Sequence, residues 1–173
     1  MSSFLIFLFS LHLNAFQIPM TVQGDWKILK PTTTPAHDVG FGDFGLRLSV
    51  EKSSGAVVLP FSKMHKIKGL QGDARLKGKL RASENLILRL GLVTSEKKDL
   101  SSLSKTDGIK FFDIATNSKT NGTVIKTQND EGDFSFSVDF KKPIEATALW
   151  VSAGGEDSKS SYSIQINTLE LLE

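Results

Sequence analysis

Residues 74–82 alternate cations with small or apolar residues: Arg75, Lys77, Lys79 and Arg81 stand against Ala74, Leu76, Gly78, Leu80 and Ala82. In an extended strand, alternate side chains project from one face at steps of about 6.6–7 Å. Such a row is suited to electrostatic capture of an anion: an acidic glycan, a lipid headgroup, nucleic acid or an acidic protein. Like charges so spaced repel one another, so compensation is expected. Three blander arrangements supply it: a solvated outer face, an edge strand guarded by lysine, or acids on a neighbouring strand that pair with the cations. The stretch 63–81 carries a net +6, with Asp73 as its one acid, while the whole chain is only +2, so the remainder is −4. No aromatic residue interleaves with these cations, so bases would find no stacking platform, and nucleic acid is not expected as a partner.

Stacking on a sugar ring asks for exposed aromatic faces, and the residues of the usual kind are Trp26, Trp150 and Tyr162. Trp26 and Trp150 are therefore candidate ligand-binding residues beside Arg75, Lys77, Lys79 and Arg81. Catalytic signals are sparse. The chain has no cysteine, which excludes disulfides, thiolate zinc sites, iron–sulfur clusters and thiol catalysis. Its three histidines are His12, His37 and His65, and no G-x-S-x-G accompanies them. No metal site is expected from so few histidines. Residues 40–45 spell G-x-G-x-x-G, but a period-2 strand follows where a dinucleotide site needs a helix, so the glycines read as a tight loop. Gly154-Gly155-Glu156-Asp157 reads as a polar connection between strands. The acidic run 129–133 reads as a hairpin turn; structural calcium there is the alternative, and otherwise no cofactor is expected.

The first charged residue is Asp25, and residues 4–13 are mostly apolar. Ten such residues are too few for a transmembrane helix, which needs about 20, but they suit the central region of a secretory signal. Residues 1–15 are read as that signal, cut after Ala15, and residues 16–173 as one domain. The expected location is periplasmic or secreted, with no stable transmembrane anchor.

The rest of the chain reads as strands. Over 44–51, Phe44, Leu46, Leu48 and Val50 alternate with Gly45, Arg47, Ser49 and Glu51. Further strands are expected at 56–61, 74–82, 86–93, 109–115, 123–128, 133–140, 144–152 and 162–171, with 74–82 and 86–93 forming a hairpin across residues 83–85. In 133–140, Phe134, Phe136, Val138 and Phe140 share one side. Turn residues recur every 8–15 positions and no long 3.6-residue period appears, which argues for an all-β antiparallel sandwich or barrel.

Trp26, the glycine-rich loop before Gly45-Leu46-Arg47-Leu48, the apolar strand through Trp150 and the closing strand Tyr162 to Leu171 together resemble the galactose-binding-like jelly rolls found in many carbohydrate-binding modules. The resemblance implies a jelly-roll β-sandwich of about eight to ten strands. Such modules often carry an acid in the last strand near a structural calcium, where this chain has Gln165 and Asn167. The expected function is a non-catalytic, exported binding module for a carbohydrate or an anionic cell-envelope polymer. The alternatives are a structural or assembly subunit meeting a protein partner through a sheet face and, third, a hydrolase acting on a glycan.

Overall fold

The computed structural model describes residues 14–29, 39–51, 56–78, 87–94, 108–115, 132–153 and 161–173. These residues form nine strands, all paired antiparallel, and no helix. They are β1 (Ala15–Gln17), β2 (Lys27–Leu29), β3 (Val39–Gly42), β4 (Gly45–Glu51), β5 (Ala56–Lys77), β6 (Ile87–Val93), β7 (Ile109–Ala115), β8 (Gly132–Ala153) and β9 (Ser161–Leu172). The architecture is an antiparallel jelly-roll β-sandwich built from one bent sheet.

Two strands, β5 and β8, are 22 residues each and run side by side through both halves of the molecule. Their register follows one offset from Ala56↔Ser152 to Pro60↔Ala148, shifts before His65↔Ala146, and returns to the first offset at Gly69↔Asp139. Residues 61–64 of β5 stand opposite Thr147 alone, and residues 140–143 of β8 stand opposite Lys68 alone. Each excursion lies at or beside a proline, Pro60 in one strand and Pro143 in the other, where no N–H is available to a ladder. The two bulges cancel, and between them the ladder bends the sheet onto itself.

The first half, with β5 before the bend and β8 after it, has the order β2-β5-β8-β6-β7. The second half has the order β3-β4-β9-β5-β8, with β1 beside β4 along the free edge of β9. One apolar cluster fills the space between them. Val57, Leu59, Leu88, Leu90, Leu92, Leu149 and Val151 come from the first half; Leu46, Leu48, Leu70, Leu76, Phe134, Phe136, Ile164 and Ile166 come from the second. Burial of these side chains, at about 25 cal/mol per Å² of apolar surface, is the main force holding the halves together. Ile18, Met20 and Trp26 close one margin of this core. At the chain ends, Glu173 N–H donates to the Asn14 carbonyl at 3.0 Å, and the His65 imidazole, flanked by Phe16 and Phe61, donates from Nδ1 to a Glu173 carboxylate oxygen.

Two sequence expectations change here. Residues 74–82 and 86–93 do not form a hairpin: among the described residues β5 pairs with β2, β8 and β9, while β6 pairs with β7 and β8. Leu76 and Leu88 both bury toward the same core, but from opposite layers, and the β5 residues 75–77 already have β9 on one side, with β8 beside Arg75 and Leu76 on the other. The expected strands 133–140 and 144–152 are one strand, as are 56–61 and the start of 74–82. Residues 79–82 and 123–128 fall outside the described residues.

This packing predicts a contrast. Leu149→Ala, at the centre of the core, is expected to lower unfolding free energy by about 2–5 kcal/mol through lost burial and a cavity. Phe44→Ala, at an exposed turn, is expected to change it by about 0.5 kcal/mol or less. Urea unfolding curves of both variants check this, and comparable losses would show that the turn, too, packs into the fold.

Candidate functional site

The outer face of the second half is polar because alternation in β5, β8 and β9 sends the apolar set inward. On β5, Ala74 and Leu76 are buried while Asp73, Arg75 and Lys77 are exposed; on β8, Phe134 and Phe136 are buried while Asp133 and Ser135 are exposed. Cross-strand register sets these side chains in rows. Arg75 stands between Asp133 and Gln165, and Asp73 between Ser135 and Thr168. The partner of β5 jumps from Thr168 at Asp73 to Ile166 at Ala74, so Asn167 is a bulged extra residue and its exposed side chain joins the row.

These groups lock one another. Arg75 Nε donates to Asp133 Oδ1 at 2.7 Å and Nη2 donates to Oδ2 at 2.8 Å, a two-pronged guanidinium–carboxylate pair. Ser135 Oγ donates to Asp73 Oδ1 at 2.7 Å and Thr168 Oγ1 donates to Oδ2 at 2.9 Å, while the Asp73 N–H donates to Thr168 Oγ1 at 3.1 Å. Gln165 Nε2 donates to the Phe44 carbonyl at 2.8 Å and to Asn167 Oδ1 at 3.2 Å. In the next row Gln71 Nε2 donates to Glu170 Oε2 at 2.7 Å.

A two-residue loop, Asp43-Phe44, joins β3 to β4 at the rim, closed by Gly42 opposite Gly45. Gly45 has φ +100°, and a Cβ there would lie 2.0 Å from the Ile166 carbonyl oxygen, so only glycine fits against β9. The glycine run is thus a tight turn, as its sequence context indicates. The turn leaves the Phe44 ring 77% exposed, beside an open hollow of about 580 Å³ lined by Asp43, Asp73, Arg75, Asp133, Gln165 and Asn167. A smaller hollow of about 230 Å³, walled by Gly40, Gly42 and Gly45 with Arg47, shares Phe44 and Gln165.

Of the residues singled out from sequence, Arg75 lies in this cleft and Lys77 is exposed in the adjoining row, opposite Ser163 of β9. Lys79 and Arg81 lie outside the described residues. Arg75 is not one of a row of uncompensated cations; its neutralising acid sits on the neighbouring strand. Trp26 is a correction: it is 2% exposed, with Nε1 donating to the Pro19 carbonyl at 2.8 Å and its ring against Phe41, so no face is open to a ligand. Trp150 lies half-buried on the outer face of the other half, edge-on to Phe111 at 6.0 Å, with Nε1 donating to Ser152 Oγ at 3.2 Å. Val58, Val93 and Ala148 on that same face are fully buried, so its centre is not open sheet. Tyr162 is buried in the core.

Phe44, Asp73, Asp133 and Asn167 were not among the expected site residues. The alternation over 44–51 places Phe44 in the buried set, but the strand starts one residue later and the turn turns the ring outward. Asp133 ends the acidic run 129–133, and only the β5–β8 register brings it to Arg75.

Hydrogen bonding to Arg75, and with it the guanidinium's charge, holds the Asp133 carboxyl below its ordinary value of 3.8, against a smaller opposing effect of desolvation. A depressed folded-state pKa contributes stability above the unfolded value and loses it as pH falls through the folded one. In Arg75→Ala, the Asp133 pKa followed by carboxyl NMR is expected to rise toward 3.8. An unchanged titration would mean that the pair does not persist in solution.

No family model and no curated protein matches the sequence. Among solved structures, the chain is similar to a xylan-binding module of family CBM15, with TM-score 0.51 and 14% identity over 92% of this chain and 95% of that one. It is also similar to a family 32 carbohydrate-binding module from C. perfringens in complex with galactose, with TM-score 0.45 and 10% identity over 92% of this chain and 100% of that one. A third similar structure is the N-terminal CBM22-1–GH10 part of a Clostridium thermocellum xylanase, with TM-score 0.49 and 10% identity over 93% of this chain and 28% of that one. The first of these likenesses establishes the fold: a jelly-roll β-sandwich of the kind carbohydrate-binding modules have.

Proposed function

We propose that this protein is an exported, non-catalytic carbohydrate-binding module whose ligand lies across the cleft beside Phe44. The observation that carries the reading is an aromatic ring 77% exposed at the rim of a polar, prearranged hollow. A sugar ring offers an apolar C–H face and a girdle of hydroxyls. Phe44 supplies a flat partner for the first, and Asp73, Asp133, Asn167 and Arg75 supply hydrogen-bonding groups for the second. The strand scaffold and the mutual hydrogen bonds fix these groups in advance, which lowers the ordering cost of binding.

The non-catalytic part of the reading rests on how the carboxylates are used. Glycoside hydrolysis needs one carboxyl held protonated as an acid beside a second that is ionised. Asp133 has its pKa lowered by Arg75, the opposite of what an acid requires, and Asp73 is engaged as acceptor by two hydroxyls. His65 is buried at the bend of the sheet and bonded to Glu173, away from the residues lining the hollow. Export rests on the apolar leader of residues 4–13; among the described residues no helix is long and apolar enough to cross a membrane.

A glycan array probed with the labelled protein tests the reading. Binding to at least one oligosaccharide is expected, and Phe44→Ala is expected to weaken it by about tenfold or more, a loss of about 1.4 kcal/mol. Undiminished binding by a folded Phe44→Ala variant would place the ligand elsewhere.

A further inference from the structure

The reading above leaves open which glycans the cleft accepts, and the basic stretch of the sequence allows an anionic one. We infer that the cleft selects an uncharged glycan and disfavours polyuronates and sulfated chains. The inference rests on the proposed sugar-binding role of the same cleft. Its basis is the division of donors and acceptors around the larger hollow. Three carboxylates, of Asp43, Asp73 and Asp133, line it against one guanidinium, that of Arg75. An ionised carboxylate only accepts hydrogen bonds. Among the described residues lining the hollow the guanidinium is the one strong anion-binding group, and its Nε and Nη2 are forked onto Asp133 at 2.7 and 2.8 Å. A uronate or sulfate brought beside Phe44 therefore meets acceptors facing acceptors and a local excess of negative charge.

A sugar hydroxyl does the reverse. It is both donor and acceptor, so it can donate to the remaining lone pairs of Asp73 or Asp133 and accept from other groups. Asn167 at the bulge presents a side chain that can serve in either sense, with Gln165 fixing its oxygen. Cations lie nearby without reversing this balance. Arg47 lines the smaller hollow, and Lys77 is exposed in the adjoining row. Even counting Arg47 with the larger hollow, the described lining residues keep an excess of carboxylate. Discrimination against polyanions should thus be electrostatic, and sharper at low salt, where the Debye length is longer.

Affinity electrophoresis of the purified protein separates the outcomes. Gels would contain either uncharged polysaccharides (arabinoxylan, mixed-linkage β-glucan, galactomannan) or polyanions (polygalacturonate, alginate, heparin), each at low and at physiological salt. Retardation by at least one uncharged polymer is expected, with little or none by the polyanions. The double variant Asp43→Asn/Asp73→Asn is expected to raise retardation by the polyanions several-fold. Retardation by a polyanion equal to or greater than that by every uncharged polymer would overturn the inference. If Phe44→Ala abolished that retardation, the sugar-binding reading of the cleft would stand without it. Retardation by none of the gels would overturn both.

Discussion

The paired run of β5 and β8 is the constraint on which the rest of the molecule depends. Each strand passes through both layers, so the layers are joined by continuous backbone hydrogen bonding as well as by packed side chains. A sheet of this size with both faces exposed would be unstable. Bending it lets the apolar side of one half bury the apolar side of the other. The bend is local and compensated: extra residues in β5 at 61–64 are answered by extra residues in β8 at 140–143, and the original register resumes beyond them. Without that compensation, every pair past the bend would slip, and a slip by one residue would send Phe134 and Phe136 to solvent and Asp133 and Ser135 into the core.

The same ladder makes the cleft. Arg75 meets Asp133, and Asp73 meets Ser135, because the register beyond the bend is the one set before it. On the other side of β5, the bulge at Asn167 brings Thr168 opposite Asp73 and Gln165 opposite Arg75. Gln165 then reaches over to the carbonyl of Phe44 and ties the β3–β4 turn to the sheet. An ion pair this exposed adds little to stability. Its consequence is positional: it holds two side chains upright on a rigid strand face and leaves the guanidinium committed. A site on strands keeps its geometry better than one assembled from loops.

Much of the fold is legible in the sequence, and the places where it is not have a common cause. Period-2 alternation marks β4, which lies within one layer, and the stretches of β5 and β8 on one side of the bend. It fails to show that β5 and β8 are single strands because their buried sets change parity at the bend. On β5 the inward residues run through Leu59 and Ile67 and then Leu70 and Leu76; on β8 they run through Phe136 and Ile144 and then Leu149 and Val151. A reader following alternation sees two short strands where there is one. The supposed hairpin after residue 82 fails for a related reason, since sequence neighbours that bury toward one core can do so from opposite layers. In the site, the pairing of a basic strand with an acid on its neighbour was among the arrangements the charge pattern allowed. The identity of that acid needed the register of residues 58 positions apart. Trp26 and Phe44 exchanged expected roles, because aromatic type alone does not say whether a ring lies at the margin of a core or at the tip of a turn.

The position of Phe44 also shows how function and folding divide the surface. Leaving a phenylalanine exposed forgoes about 1.5–3 kcal/mol that its burial would supply. The turn does not need that ring: its geometry is fixed by Gly45 against the Ile166 carbonyl and by Gln165 on the Phe44 carbonyl. A polar residue at position 44 would make the same turn and cost the unbound protein nothing. The exposed ring therefore has no structural debt to β4 or β9, and the groups beside it are already satisfied by one another. An exposed aromatic face, set next to polar groups with lone pairs remaining, is what a ligand with one apolar face and many hydroxyls would complete.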